Sequence, residues 1–419
     1  MINRLAKSIF LKGLDGIRGG SLRILADRAY AFGDARDGLD ATMAIASDRF
    51  FTRALASGDI GIGESYMDGE WTSPDLVPLI RLMLRNMALV DERGGLVHAV
   101  TAAAGLLARR LRDNSIEGSR RHIHRHYDLG DEFFRLFLDS KHLMYSCAFY
   151  ERERDSLETA QEHKLNQICR KLDLQPDDRL LEIGSGWGGL AVWAASRYGC
   201  QVTTTTISEA QYRHAREWTH RAGLGGRVHV VREDYRRLTG TYDKIVSIEM
   251  FEAVGLSHYD DYFRAVDQLL APDGVMLLQT ITVGDQWFPR YHRSPDWIEK
   301  YIFPGGELAS VGEILKSLAR ATRLQMYHAE NIGSHYARTL RAWRARFRQR
   351  LDEVRALGFD ERFIRMWDLY LAYCEAAFLE RHAGDFQLLL VRNAAAATLF
   401  NEPWNAVDVD APAAEVSGF

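Results

Sequence analysis

Leu180-Leu181-Glu182-Ile183-Gly184-Ser185-Gly186-Trp187-Gly188-Gly189-Leu190 is the stretch around which this chain is organised. An apolar run suited to a buried strand enters a glycine-rich turn, and a second apolar run, Leu190 to Ala195, leaves it as a helix. Glycine reaches positive φ without a steric cost and lets a ligand approach the backbone, while a helix start offers unpaired N–H donors. The stretch reads as a ligand-binding strand-turn-helix unit. Its plain alternative is a tight turn that binds nothing.

The spacing Gly184-x-Gly186-x-Gly188 is shorter than the dinucleotide pattern G-x-G-x-x-G, although Gly189 also fills the last position of that pattern. Glu182, two residues before the first glycine, suits a cationic or hydroxyl-bearing ligand better than a pyrophosphate. The turn is therefore read as the S-adenosylmethionine site of a class I methyltransferase.

Working outward, 419 residues are enough for two domains with a substantial core. A net charge of −4 gives no case for nucleic acid as a partner. The four cysteines, Cys147, Cys169, Cys200 and Cys374, have neither C-x-x-C spacing nor nearby His ligands, so neither a disulfide scaffold nor a metal site is expected. Residues 1–20 lack the apolar core of a signal peptide, and the best membrane-span candidate, Leu96 to Leu107, is too short. A cytoplasmic protein is expected, peripheral on a membrane face.

Residues 1–110 read as a separate, largely helical, lipid-engaging domain, with turns at Gly58-Asp59 and Asp68-Gly69. Ser73 and Pro74 look like the N-cap and first position of one of its helices. Residues 111–150 read as a basic linker and lid. Arg109, Arg110, Arg112, Arg120, Arg121 and Arg125 with His122, His124 and His126 could face anionic headgroups or form a solvated linker. Residues 151–400 alternate strand and helix, with strands expected at 179–184, 199–206, 228–233, 242–249, 274–283, 324–330 and 386–392. That rhythm is α/β: a seven-stranded, Rossmann-like, doubly wound sheet with a helical insertion, about 336–383, before the last strand. The insertion's stripe of Trp367, Tyr370, Leu371, Cys374 and Phe378 suits core or a substrate-pocket wall. Residues 401–419 read as a loosely ordered tail.

In such a sheet ligands bind beyond the carboxyl ends of the strands. After the glycine turn, the second strand end gives Thr206 and Ile207 with Gln211 shortly after, suited to ribose hydroxyls. The third gives Glu233 and Asp234, suited to an adenine amino group. The fourth gives Glu249 and Glu252, which could instead be helix-start acids. The fifth gives Gln279 within Val275-Met276-Leu277-Leu278-Gln279-Thr280-Ile281, where a buried amide must find partners.

These residues sit in a series of ordered motifs: Gly63-Glu64-Ser65-Tyr66-Met67-Asp68-Gly69, His126-Tyr127-Asp128-Leu129-Gly130, Tyr145-Ser146-Cys147-Ala148, the glycine turn itself, Met250-Phe251-Glu252-Ala253-Val254-Gly255 and Tyr301-Ile302-Phe303-Pro304-Gly305-Gly306. Over about residues 50–395 the series resembles the cyclopropane fatty acid synthase family, also called the mycolic acid cyclopropane synthase family. The resemblance implies methyl transfer from S-adenosylmethionine to the cis double bond of an acyl chain esterified in a phospholipid, and then ring closure with loss of a methyl proton. It also implies a bicarbonate ion as proton acceptor, surrounded by Cys147, Glu252, Tyr336 and the backbone near Ile281. It implies a donor pocket of Tyr127, Tyr145, Ser146, Gly184, Gly186, Thr206, Ile207, Gln211, Glu233 and Asp234, and commonly a homodimer.

Two positions depart from many bacterial members. Gln279 stands where they carry histidine, and can hold an anion by its amide N–H without titrating. Glu249 adds an acid where they carry glycine. Together these resemble a branch that includes plant-type synthases and enzymes giving 10-methylene chains, so the branched product is the alternative. A small-amine methyltransferase and a catalytically silent lipid-binding protein are further alternatives. Cys147 is read as a structural thiol rather than a nucleophile.

Overall fold

The protein is described by a computed structural model covering residues 2–87, 129–293 and 296–392. The basic segment 109–126, Tyr127 and the tail 401–419 lie outside the described residues. The chain forms two compact units: Met1–Arg112 with Pro289–Pro304 and Leu340–Ala383, and Asp113–Phe288 with Gly305–Thr339 and Gly384–Phe419.

The first unit corrects the expectation of a helical N-terminal domain. Between the helices Ile2–Gly13 and Arg49–Met67 lie strands β1 (Gly20–Leu25), β2 (Ala29–Gly33) and β3 (Leu39–Ile45), with β4 (Trp71–Thr72) beyond. They form one sheet in the order β2-β1-β3-β4, in which β1 and β3 run parallel. The cause is a period-two pattern: Leu22 and Ile24 of β1 are fully buried, as are Ala41 and Met43 of β3, and their neighbours face outward. Such short runs carry little signal against a helical background. Backbone closeness fixes the register, since a Cβ on Gly33 would meet the carbonyl oxygen of Gly20 at 2.2 Å.

The turn at Gly58-Asp59 is a kink inside the helix Arg49–Met67, with Gly58 at φ 55 and ψ −130. The next helix, Leu76–Arg85, starts later than Ser73-Pro74: Asp75 is its N-cap and accepts from the Val77 N–H. The insertion is helical, as Gly333–Gln349, Leu351–Ala356 and Glu361–Leu379. Its Leu340–Ala383 portion belongs to the first unit, where Glu361–Leu379 packs on Leu76–Arg85 and Arg49–Met67. Trp343, Phe347, Trp367, Leu371 and Phe378 are buried in that unit.

The second unit holds the other seven strands: β5 (Arg179–Ile183), β6 (Gln201–Thr205), β7 (Val228–Val231), β8 (Tyr242–Ile248), β9 (Leu270–Val283), β10 (Gln325–Asn331) and β11 (Ala383–Val391). Their order is β10-β11-β9-β8-β5-β6-β7. β5 to β9 pair in parallel, and β11 runs antiparallel to β10. Each of the seven expected strands is present.

One face of the sheet packs Leu180, Val202, Val246 and Leu277 on the helices Leu157–Lys171 and Gly189–Tyr198. The other packs Leu181, Ile183, Ile245 and Met276 on the helices Tyr259–Leu269 and Val311–Ala321. At roughly 25 cal/mol per Å², these two apolar layers are what hold the strand ends in place. β5 and β8 lie side by side at the centre, where the chain order reverses, so the site falls at their carboxyl ends.

Candidate active site

After β5 the backbone turns through Gly184, Gly186 and Gly188 at φ 99, 49 and 98, conformations that side chains rarely adopt. A Cβ on Gly186 would meet nothing within 4 Å, so the turn leaves open space as a ligand cradle would. Glu182 lies beneath it, buried, with Thr204 Oγ1 donating to Oε2 at 2.5 Å. Burial pushes its carboxyl up to about 8, against the pull of Thr204 and Lys164.

Thr206 Oγ1 donates to Gln211 Oε1 (2.8 Å) and accepts from the Ser208 N–H (3.1 Å), which ties the β6 end to the start of the helix Glu209–Arg221. Ile207 between them is half-buried. Glu233 is partly exposed at the β7 end. Asp234 is buried and its carboxylate is held by Arg236 through Nε (2.8 Å), Nη2 (2.8 Å) and the backbone N–H (3.0 Å). Of the two acids, Glu233 is the one placed toward solvent.

The segment Ser140 to Ala148 lies against the same turn, since a Cβ on Gly189 would meet the His142 carbonyl and Met144 Sδ at 2.7 Å. Tyr145 packs edge-on against Phe134, with ring centroids 5.2 Å apart. Ser146 is buried, accepting from Lys164 Nζ at its hydroxyl (2.8 Å) and from Gln161 Nε2 at its carbonyl (2.9 Å).

Beyond β8 the chain turns at Glu249, whose φ of 48 lies in the left-handed region. Holding a glutamate there costs about 1 kcal/mol relative to glycine, and an outlier of this kind points to a use for the side chain. Glu249 Oε1 accepts from the Cys147 backbone N–H (2.8 Å) and Gln279 Nε2 (2.9 Å), and Oε2 accepts from the Tyr336 O–H (2.6 Å). Burial pushes this carboxyl up, opposed by the Tyr336, Cys147 and Gln279 hydrogen bonds and by Lys164.

Glu252 accepts from the Ile281 N–H (2.5 Å) and Thr280 Oγ1 (2.9 Å) through Oε1, while Oε2 is buried without a hydrogen-bond partner. Burial and the neighbouring Glu249 push its carboxyl up to about 7. Lys164 is the buried ammonium of the cluster, and burial brings it down to about 8 against the acids around it.

Cys147, Glu249, Glu252, Gln279 and Tyr336 thus converge at adjacent strand ends. One expectation is corrected: Gln279 offers no N–H to a free anion, because its Nε2 donates to Glu249 Oε1 (2.9 Å) and Asp385 Oδ2 (3.0 Å). The Cys147 N–H and the Tyr336 O–H, expected around bicarbonate, are likewise engaged by Glu249. The donor set present does not fit a separate bicarbonate ion. The Cys147 thiol donates to the carbonyls of Ala148 (3.3 Å) and Ile332 (3.7 Å), and burial pushes it well above the ordinary thiol range, which makes it a poor nucleophile.

Sequence reasoning missed Lys164, Asp385 and Gln387. Gln161 and Lys164 share one buried helix face three residues apart, and Asp385 and Gln387 share one face of a strand that is otherwise largely apolar. Paired polar residues at the period of a buried face were the available signal.

The mycolic acid cyclopropane synthetase family matches residues 115–388. The tuberculostearic acid methyltransferase UfaA1 of Mycobacterium tuberculosis is 38% identical over 82% of this chain and 82% of its own length. The cyclopropane-fatty-acyl-phospholipid synthase of Escherichia coli K12 is 40% identical over 82% of this chain and 86% of its own. The structure of the cyclopropane synthase MmaA2 from Mycobacterium tuberculosis aligns with TM-score 0.61 and 32% identity, over 65% of this chain and 98% of that one. The chain is a class I S-adenosylmethionine-dependent methyltransferase and belongs to the mycolic acid cyclopropane synthetase family.

Proposed function

We propose that this enzyme transfers a methyl group from S-adenosylmethionine to the cis double bond of an unsaturated acyl chain in a membrane phospholipid and closes the product to a cyclopropane. The observation that carries this reading is the Glu249 carboxylate, buried beside the glycine turn on three donors, Cys147 N–H, Tyr336 O–H and Gln279 N–H. An amine acceptor carries its own nucleophilic lone pair, whereas methylation of an alkene leaves a cation that must lose a proton from carbon. A fixed buried carboxylate answers the second need. The E. coli relative's name supports phospholipid acyl chains as the substrate class.

When bound, S-adenosylmethionine supplies an electrophilic methyl on sulfonium. Gly184 and Gly186 would hold its amino-acid part over Glu182, with Tyr145 and Ser146 on the other side. Thr206, Ile207 and Gln211 meet the ribose. Glu233 accepts from the adenine amino group, and Asp234 holds that turn through Arg236. The alkene pair is a weak nucleophile, so alignment in a water-free pocket supplies much of the acceleration. Glu249 takes the proton as the ring closes. Glu252, with its second oxygen unpartnered, stands beside it.

A second reading, a 10-methylene chain, is favoured by the 38% identity to a tuberculostearic acid methyltransferase. It needs a 1,2-hydride shift that moves the cation onto the methyl-bearing carbon, after which the same carboxylate takes a proton from the new methyl and the C–H electron pair forms the exocyclic double bond. We also infer a peripheral enzyme on the cytoplasmic membrane face, working as a homodimer. Among the described residues no helix is long and apolar enough to cross a membrane.

The test is mass spectrometry of fatty acids from a cyclopropane-free bacterial host expressing the chain, fed methyl-labelled methionine, followed by ozonolysis. A labelled CH2 gain that resists ozone is expected. An ozone-cleaved gain would establish the methylene product, and no gain would overturn both readings in favour of an amine substrate or a silent lipid-binding protein.

A further inference from the structure

Asp385 and Gln387 leave β11 on the same face, fully buried. The side chain of Lys171 fixes the direction of everything that follows, because an ammonium has donors only. Its Nζ donates to Gln387 Oε1 at 2.6 Å and also meets Glu330. The NH2 of Gln387 must then point inward, and it donates to Gln279 Oε1 at 3.0 Å. That in turn leaves the NH2 of Gln279 to face two carboxyl groups, Glu249 at 2.9 Å and Asp385 at 3.0 Å. Two amides are thereby oriented from one lysine, and two acids converge on one nitrogen.

The two acids are not equivalent. Glu249 receives two further donors, from Cys147 and Tyr336, whereas Asp385 Oδ1 is buried without a hydrogen-bond partner. The titratable groups around the pair are Glu252, Tyr336, Lys164 and the Cys147 thiol. Glu249 and Asp385 share one buried ammonium, Lys164, with the buried Asp139, and an unpaired buried carboxylate is costly enough that such a group keeps a proton instead. A carboxyl that receives three donors is favoured as the anion, and one that receives a single donor is favoured as the acid.

We propose that Asp385 is a positioning residue that holds a proton at neutral pH and, as a neutral acid facing Glu249, keeps Glu249 ionised and ready to accept the proton released from the substrate cation. Burial, reinforced by Glu249 and Glu252, pushes the Asp385 carboxyl well above the ordinary aspartate range. The inference rests on the reading of Glu249 as the base. The step balances: one C–H bond of the new methyl breaks, its electron pair closes the ring or, after a 1,2-hydride shift has moved the cation onto the methyl-bearing carbon, forms the exocyclic double bond, and the proton goes to a Glu249 oxygen. Asp385 keeps its own proton throughout.

The experiment is the pH profile of kcat for wild type, Asp385→Asn, Asp385→Ala and Glu249→Gln with unsaturated phospholipid vesicles, with donor binding and melting measured for each. The readout is the acid limb, where Glu249 gains a proton, rather than the rate. Asparagine copies a neutral acid, so its limb stays at the wild-type position. Alanine removes the carboxyl–carboxyl hydrogen bond between Asp385 and Glu249, and its limb moves up by about one pH unit. A limb that moves down in Asp385→Asn would show an ionised aspartate in the wild type and overturn the proposal, as would an unmoved limb in Asp385→Ala. If Asp385→Asn does not fold, infrared spectra of the wild type decide the matter. A protonated-carboxyl band that shifts on carbon-13 labelling of aspartate, and again in Glu249→Gln, supports it. Absence of that band overturns it. A wild-type acid limb surviving in Glu249→Gln would instead defeat the base assignment, while the infrared band would still report the Asp385 proton.

Discussion

Two clusters of three acids, one in each unit, differ in how their charge is balanced. In the first unit Glu64, Asp68 and Glu70 surround Arg53, with Lys300 donating to Glu64 at 2.6 Å and Arg362 to Asp68 at 2.9 Å. With Arg49 beside Glu70 at 3.5 Å, three acids meet four cations, partly in solvent. Although burial works to raise it, Lys300, Tyr301 and Arg53 hold the Glu64 carboxyl down to about 2. In the second unit Glu249, Glu252 and Asp385 are buried, Lys164 is the ammonium facing Glu249 and Asp385, and all three carboxyls are pushed up. Both clusters lie in or beside motifs that carry the family resemblance. Matched, half-wet charge holds a helix end together, whereas unmatched, dry charge is what moves a proton.

The contrast is sharpest in paired substitutions. Glu249→Gln is expected to lower kcat about 10³-fold, the range of a lost general base, with donor Kd nearly unchanged. Glu64→Gln should leave donor Kd and kcat nearly unchanged and lower Tm. That loss should shrink toward low pH, because a carboxyl held down stabilises the fold above the ordinary glutamate range and ceases to do so as pH falls through about 2. Comparable loss of kcat in both variants would dissolve the distinction.

Tyr336→Phe comes next. It removes one donor to an ionised carboxyl, so kcat should fall about 10-fold to 100-fold and the acid limb should rise, with donor binding intact. Loss of donor binding would reject the placement of Tyr336 in the proton-accepting site.

Glu252→Gln should lower turnover and also change stability with a definite sign. The folded protein keeps the Glu252 proton up to about pH 7, whereas the unfolded chain releases it in the ordinary glutamate range. Native stability is therefore lost as pH rises through that window, and glutamine abolishes the loss. Relative to wild type, the variant should gain about 2 kcal/mol between pH 5 and pH 8 in denaturant melts. A gain that does not grow with pH would place an ordinary carboxyl at this position.

The smallest effect belongs to Arg120 and Arg121. Replacing both with serine should weaken binding to anionic vesicles, by about 1 kcal/mol each, more than it reduces activity on detergent-dispersed lipid. Equal losses in the two assays would favour a linker role.

The seven-stranded sheet was legible because its central strands are apolar runs ended by glycine or polar residues, as at Ile183-Gly184, while β6 shows itself by its β-branched Val202 to Thr205. The small sheet was not, since β1 and β3 each bury only alternate side chains and lie next to long helices. Glu249, Glu252 and Gln279 could be found because they stand at strand ends, where polar residues signal a site. Asp385, Gln387 and Lys164 could not be found the same way. Their partners come from distant segments, and Lys171 orients Gln279 only through a chain of amides that the fold assembles. Nor does Gln279 in a sequence reveal that both its N–H groups face protein carboxyls.

The central claim is that the protein supplies its own carboxylate where the family resemblance places an ion. The most direct measurement is turnover of wild type and Glu249→Gly in carbon-dioxide-depleted buffer, with and without added bicarbonate. Glycine suits the φ of 48 at that position, so the variant should keep its backbone. Wild-type turnover should be indifferent to bicarbonate, and the variant should be slow without it and partly restored by it. Wild-type turnover that rises with bicarbonate would contradict the account.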